Sequence, residues 1–291
     1  MQETISRPAV RAIAWSRLRF LGGAAVINAV LLAAVAATAI PYLYMLSASF
    51  KSNSEIFGYP ITLWPREPIL TNFEHLLGNF PYGRWYLNTA VTTIARTALA
   101  LFVSSLAGFA FAKYTFPWKN TLFIIMLITM MLPYQILLVP QFALMVWLGW
   151  FNTYWALILP HAVGAFGVFL MRQYTLSVPS ELLDAARIDG AGEFQIYWQL
   201  VLPLVRPGLA VLGILTFTGA WNDFFWPLIV ATRPSMFVLN VGLGSLLGPY
   251  NYEYGMLLAG SFLATLPIIA VFLFFSRQLI EGVTAGAFKG A

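Results

Sequence analysis

Six apolar runs in this chain are each long enough to cross a lipid bilayer, and their length restricts the fold more than any other feature. A helix needs about 20 residues to cross the hydrocarbon layer. Residues 20–46, 85–112, 121–148, 154–171, 204–231 and 255–276 meet or approach that length with few charges. In hydrocarbon each backbone N–H and C=O must be paired within the chain, which makes helices the expected form of every run. The expected fold is an all-α integral membrane protein with six transmembrane helices. It divides into a leader over 1–19, a membrane domain over 20–276 and a tail over 277–291.

Composition agrees, because 9% of the residues are charged and 60% are hydrophobic, against roughly 25% charged in soluble domains. The net charge of +5 does not mark a nucleic-acid binder, because the charges flank the apolar runs. Lysine and arginine counted loop by loop set the orientation. One side holds Arg7, Arg11, Arg17, Arg19, Lys113, Lys119, Arg172, Arg187, Arg206, Arg277 and Lys289, and the other holds Lys51, Arg66, Arg84 and Arg233. Eleven against four puts both termini in the cytoplasm. The chain has no cysteine and only His75 and His161 as imidazoles, so no metal site is expected.

Two connections are long. The outer one, 47–84, carries Pro60, Trp64, Pro65, Pro68 and Pro81 and is expected to be ordered by packing and to face an extracytoplasmic partner. The inner one, 172–206, holds a short helix that begins after Pro179 with Ser180 as N-cap, has Glu181 and Asp184 near its positive end, and stops in a left-handed turn at Gly190. Three-four spacing puts Leu182, Ala185, Ala186 and Asp189 on one face, where two alanines permit close approach of another protein. A second helix from about Glu193 to Val201 carries an apolar stripe of Phe194, Tyr197, Trp198 and Val201.

The order Asp184-Ala185-Ala186, then Asp189-Gly190-Ala191, then Leu202-Pro203, within loop 178–203 between two apolar runs, resembles the EAA loop of ABC importer permeases. The wider chain is similar to the smaller permease of the maltose-type carbohydrate family, through residues 88–119, 131–133, 148–154, 166–173 and 282–290. The resemblance implies an ABC type I importer permease fold and import of a carbohydrate, polyol or glycerol-phosphate solute. Glu181, Asp184, Ala185, Ala186, Asp189, Gly190 and Ala191 would then dock an ATPase pair that binds ATP and Mg, with no cofactor in this chain. A second permease, an extracytoplasmic solute-binding protein and the bilayer would complete the assembly in a bacterial cytoplasmic membrane. Asp184 stands where the family usually has Glu, one methylene longer, which leaves its partner open. A secondary transporter would leave this loop without a purpose, and a membrane enzyme would need a convergent nucleophile, base or metal set that two histidines do not supply.

Arg96 and Asp223 fall inside apolar runs at similar depth, and an unpaired charge there costs at least ~2.5 kcal/mol. They are expected to pair. Trp221, Asn222 and Asp223 set an aromatic face beside two hydrogen-bonding groups, as a sugar site requires, although a Trp near a span end also serves as an interface anchor. Gln135 and Gln141 around Pro140, after Pro133, suggest a kinked third run that lines a pathway or bonds to neighbouring helices. His161 reads as a satisfied core residue, and Ser104, Ser105, Gly108, Gly213 and Gly219 as sites of close helix packing.

Overall fold

The computed structural model describes the backbone of residues 8–248 and 251–287, and the side chains of residues 26–248 and 253–275. The leader arginines Arg7, Arg11, Arg17 and Arg19, and the tail motif 282–290, lie outside the described side chains.

Three helices are long and apolar enough to cross a membrane unaided, Val26–Ala48, Tyr82–Lys113 and Tyr254–Phe275. Three further spans are broken pairs. Lys119–Thr129 meets Tyr134–Trp147 at 95°, Tyr154–His161 meets Ala165–Leu176 at 46°, and Glu193–Leu204 meets Arg206–Trp221 at 80°. Six spans result, three of them discontinuous. Pro133, extended at ψ 125°, explains the first break, since proline lacks an N–H and forces the preceding residue out of the helical region. Pro140 does not break its helix, because it sits in the first turn of Leu138–Trp147, where its missing N–H has no partner to lose. Gly164, extended at φ −115° and ψ 151°, marks the second break. The only strands among the described residues are a two-residue antiparallel ladder, Leu247 with Tyr252 and Gly248 with Asn251.

The fifth apolar run is not one helix. Its membrane helix ends at Trp221, and a separate short helix covers Phe225–Val230. Asp223 therefore lies in a backbone break and not within a continuous span. Before it, Glu193–Gln195 leads into a π-helical stretch, Ile196–Val201, and the helix then passes through Pro203 to Leu204. This approach helix thus outlasts the stop expected before Pro203.

The second span is the hub, packed against Ala165–Leu176 and Arg206–Trp221, and the last helix packs on Arg206–Trp221 and on the first span. Gly108 is required where the second and fourth spans cross: a Cβ there would lie 2.7 Å from the Arg172 backbone nitrogen and 2.7 Å from Met171 Cβ. At Gly167 a Cβ would meet Ser104 Oγ at 2.6 Å. By contrast, Gly213 finds ordinary contacts at 3.7 Å and Gly219 has open space, so neither serves the close packing expected of it. The apolar window within the first span, Val26–Ala48, is left unburied by the rest of this chain.

The outer connection is ordered by its own polar contacts. Lys51 is 1% exposed, donates to the Thr62 carbonyl and lies 5.1 Å over the Tyr44 ring. Asn72 donates to the Ser49 and Lys51 carbonyls, each at 2.9 Å.

Candidate functional site

Two groups of chemistry-bearing residues stand out, one at the loop end of the bundle and one at the helix breaks.

The loop helix spans Ser180–Ile188. Pro179, extended at φ −59° and ψ 135°, takes the N-cap position, and no side chain caps the helix. Ser180 is therefore its first residue and not its cap. At the other end Gly190 has φ +83°, the left-handed turn expected there, where a Cβ would be strained. Leu183 is 1% exposed and fastens the helix to a core of Phe109, Met171, Ile196, Tyr197, Val201 and Val205. Those partners come from the second, fourth and fifth spans. Leu183 escapes notice in the sequence because it lies off the alanine face. Leu182, Ala185 and Asp189 are exposed, Ala186 is half-buried against the core, and Ile188 is 86% exposed. The free face thus holds Glu181, Leu182, Ala185, Ile188 and Asp189, with Gly190 and half-buried Ala191 at its end. Of the expected stripe on the next helix, Tyr197 and Val201 are buried, whereas Phe194 and Trp198 are exposed and stack on each other at 6.3 Å.

Charges brace this loop. Arg187 donates to Asp184 at 2.8 Å and to Glu193 at 2.8 Å, and the Tyr114 hydroxyl donates to Glu193. The Asp184 carboxylate thus has a partner inside its own loop. The Arg187 guanidinium, helped by Tyr114, holds the Glu193 carboxyl below its usual range. Burial, then the bond to Glu193, pushes the Tyr114 hydroxyl up to about 12. Lys113, at the end of the second span, donates to the Val178 carbonyl. Both ends of the loop helix are therefore tied to the bundle.

The second group lies deeper. Arg96 sits about 21 Å along the second span from Tyr82, at ~1.5 Å per residue. Its Nη1 bonds Asp223 Oδ2 at 2.7 Å, with the two side chains 11% and 17% exposed. The expected pairing is present, at the break after Trp221. Tyr134, just past the break in the third span, lies edge-on to His161 at 6.2 Å and to Phe225 at 6.3 Å. His161 also meets Trp226 at 5.2 Å and lies within electrostatic reach of both Arg96 and Asp223. Residues at three helix breaks thus gather around one ion pair.

Trp221 does not offer the stacking face expected of it. It is 4% exposed, stacked on Phe217 at 5.7 Å and edge-on to Tyr86 at 5.5 Å, and its indole donates to the Ala264 carbonyl at 2.9 Å. It is a packing residue. Asn222 is exposed and bonds back to the Thr218 carbonyl. It lines an apolar cavity of about 720 Å³ between the first, fifth and sixth spans, away from its neighbour's ion pair. The accessible rings near the pair are Tyr134 and Phe225, 38% and 47% exposed, and Gln135 is exposed beside them. Sequence reasoning missed both rings because they look like ordinary span aromatics until the breaks are known. Arg96 Nε, Thr93 Oγ1, Thr97 Oγ1, Gln141 Oε1 and His161 Nδ1 are buried without a hydrogen-bond partner among the described residues. His161 is therefore packed between rings but not satisfied in its hydrogen bonding.

The chain is 42% identical over 253 residues to the arabinooligosaccharides transport system permease protein of Halalkalibacterium halodurans, covering 86% of this chain and 91% of that one. It is 32% identical over 250 residues to the sn-glycerol-3-phosphate transport system permease protein of Yersinia enterocolitica, covering 83% and 89%. A crystal structure of a bacterial ABC transporter involved in the import of the acidic polysaccharide alginate matches the fold with a TM-score of 0.78 at 24% identity, over 96% of this chain and 100% of that one. The model of one family, the binding-protein-dependent transport system inner membrane component, matches residues 84–282, from the start of the hub span into the last helix, and this chain belongs to that family.

Proposed function

We propose that this chain is one permease half of an ATP-driven importer of a saccharide-class solute, with the loop helix Ser180–Ile188 as its docking element for a separate ATPase pair. The observation that carries the reading is mechanical. The helix is anchored by one buried leucine to three spans, is braced by Arg187 at its far end, and offers a free face with exposed Leu182 and Ile188 around Ala185. A rigid element fixed in this way converts displacement by a partner into displacement of the spans, as alternating access requires. The discontinuous spans supply places where such movement can be absorbed without breaking long helices.

In this reading the ATPase pair binds ATP and Mg. It closes on the face containing Glu181, Ala185, Ile188 and Asp189, while Asp184 stays with Arg187 and stiffens the loop. A second permease completes the pathway, and an extracytoplasmic solute-binding protein delivers solute to the ordered outer connection. Both termini and the loop helix lie in the cytoplasm, in keeping with the lysine and arginine count. The saccharide class is inferred from the relatives' names, one an arabinooligosaccharide permease at 42% identity.

Co-purification in detergent tests the docking. The native chain is expected to retain its ATPase, and Ala185→Glu, which places a charge on the exposed face, is expected to lose it while remaining monodisperse. Equal retention by both would move the interface elsewhere, and loss of monodispersity is checked with the milder Ala185→Ser.

A further inference from the structure

The importer reading leaves the charge of the solute open, and the Arg96–Asp223 pair bears on it. The other cations of the described spans sit at the span ends: Arg84 opens the second span at the end away from the loop and donates to the Ser235 carbonyl, and the rest lie near the loop. Lys113 is held by the Val178 carbonyl, Arg172 lies 4.3 Å over the Phe123 ring and donates to the Phe111 carbonyl, and Arg206 opens the last helix of the fifth span. Around the helix breaks, Arg96 is matched by Asp223 at 2.7 Å, so the two formal charges cancel. What remains is hydrogen-bonding capacity without net charge. Arg96 Nε and His161 Nδ1 have no hydrogen-bond partner among the described residues, and the part-exposed Tyr134 and Phe225 rings lie edge-on to each other, with Tyr134 also edge-on to His161.

A polyhydroxyl solute suits such a place. Its C–H faces pack on aromatic rings, and its hydroxyls both donate and accept. A carboxylate or phosphate does not suit it. To use the guanidinium an anion would have to displace Asp223, and if it did not, it would lie beside a like charge with no free cation to offset its desolvation.

We propose that the Arg96–Asp223 pair makes this half of the pathway selective for neutral saccharides over uronates and sugar phosphates, with Asp223 as the specificity-determining residue because it cancels the Arg96 charge. This rests on the importer reading and divides it along a line that the relatives themselves straddle, one named for an arabinooligosaccharide and another for a phosphate ester.

The test is equilibrium binding to the complete permease–ATPase assembly, without the solute-binding protein, so that no upstream filter acts. The neutral probes are arabinotriose, xylotriose and maltotriose, and the anionic probes are trigalacturonate, glucose 6-phosphate and sn-glycerol 3-phosphate. The native assembly is expected to retain at least one neutral probe about tenfold better than any anionic one. Asp223→Asn, which frees the guanidinium for a charge-assisted bond, is expected to narrow that ratio about tenfold. Arg96→Gln combined with Asp223→Asn is expected to restore it, and co-elution of all subunits shows that each variant has assembled. Retention of both classes alike, or a ratio unmoved by Asp223→Asn, overturns the selectivity while leaving the saccharide importer standing. Retention of no probe overturns the selectivity, and the saccharide reading falls with it only if the ATPase also stays unstimulated by every probe once the solute-binding protein is added back.

Discussion

At the loop end, Leu183 is 1% exposed in an apolar core, and Arg187, Lys113 and Asp184 all have partners within the loop or the span beside it. At the helix breaks, the ion pair includes a guanidinium nitrogen, Arg96 Nε, that is buried without a hydrogen-bond partner among the described residues, and the nearby His161 Nδ1 is in the same state. The first region is satisfied and rigid, as a part that transmits force should be. The second carries the cost of unmet hydrogen bonds in a low-dielectric surround, a cost that the proposed contact with a solute would relieve. Discontinuous helices allow this, because irregular backbone at membrane depth persists only where protein or a polar cavity can satisfy it.

The contrast breaks first at Gly108, where the two regions are joined. Gly108→Val places methyl groups where even a Cβ comes within 2.7 Å of backbone. It is expected to abolish assembly, read as loss of the monodisperse peak in detergent, while Gly219→Ala, with open space around it, is expected to leave the peak unchanged. The next largest effect should come from the ion pair. Arg96→Gln or Asp223→Asn alone strands a part-buried charge and is expected to cost about 3 kcal/mol, whereas the double variant should cost less than either. A thermal-melt double-mutant cycle in detergent measures the coupling, and additive losses would show that the two charges do not depend on each other.

Leu183→Ala removes the anchor and is expected to cost ~2–5 kcal/mol locally. Its sharper signature is functional: ATP hydrolysis continues but is no longer stimulated by the loaded binding protein. Retained stimulation would mean that the loop helix transmits force through its charges instead. The smallest effect is expected at the brace. Glu193 has a lowered carboxyl pKa, so its contribution is present above the ordinary carboxylate range and fades as pH falls through its lowered folded value. Tyr114 is raised from 10.0 to about 12, so its contribution is complete below about 10 and is lost as pH climbs toward 12. Hydrogen exchange of the Ser180–Ile188 amides, corrected for intrinsic pH dependence, should therefore show full protection near neutrality and opening at both extremes. In Arg187→Gln the acid-side loss should begin at higher pH, because the main cause of the Glu193 shift is gone.

The spans, the loop helix and the Arg96–Asp223 pairing were legible from residue order alone because each rests on a local or solvent rule. Apolar length reports the bilayer, Pro179 and Gly190 bound a short helix whatever surrounds it, and a charge in an apolar run demands a partner. The break after Trp221 was not legible. Residues 204–231 read as one apolar run, and hydropathy does not distinguish a continuous helix from two that turn at Asn222. For the same reason residue order does not reveal that Trp221 is packed against Phe217 and Tyr86 and so closed to a sugar.

By itself, the sequence determined that this is a six-span membrane protein with a short helix, bounded by Pro179 and Gly190, in its long inner connection, because bilayer thickness and helix termination act on contiguous residues. The tertiary structure alone decided which face of the loop helix is free, that Asp184 bonds within its own loop, and that Tyr134, His161 and Phe225 meet at the ion pair. Those are contacts between residues tens of positions apart, and side-chain packing across helix breaks leaves no periodic trace in the chain.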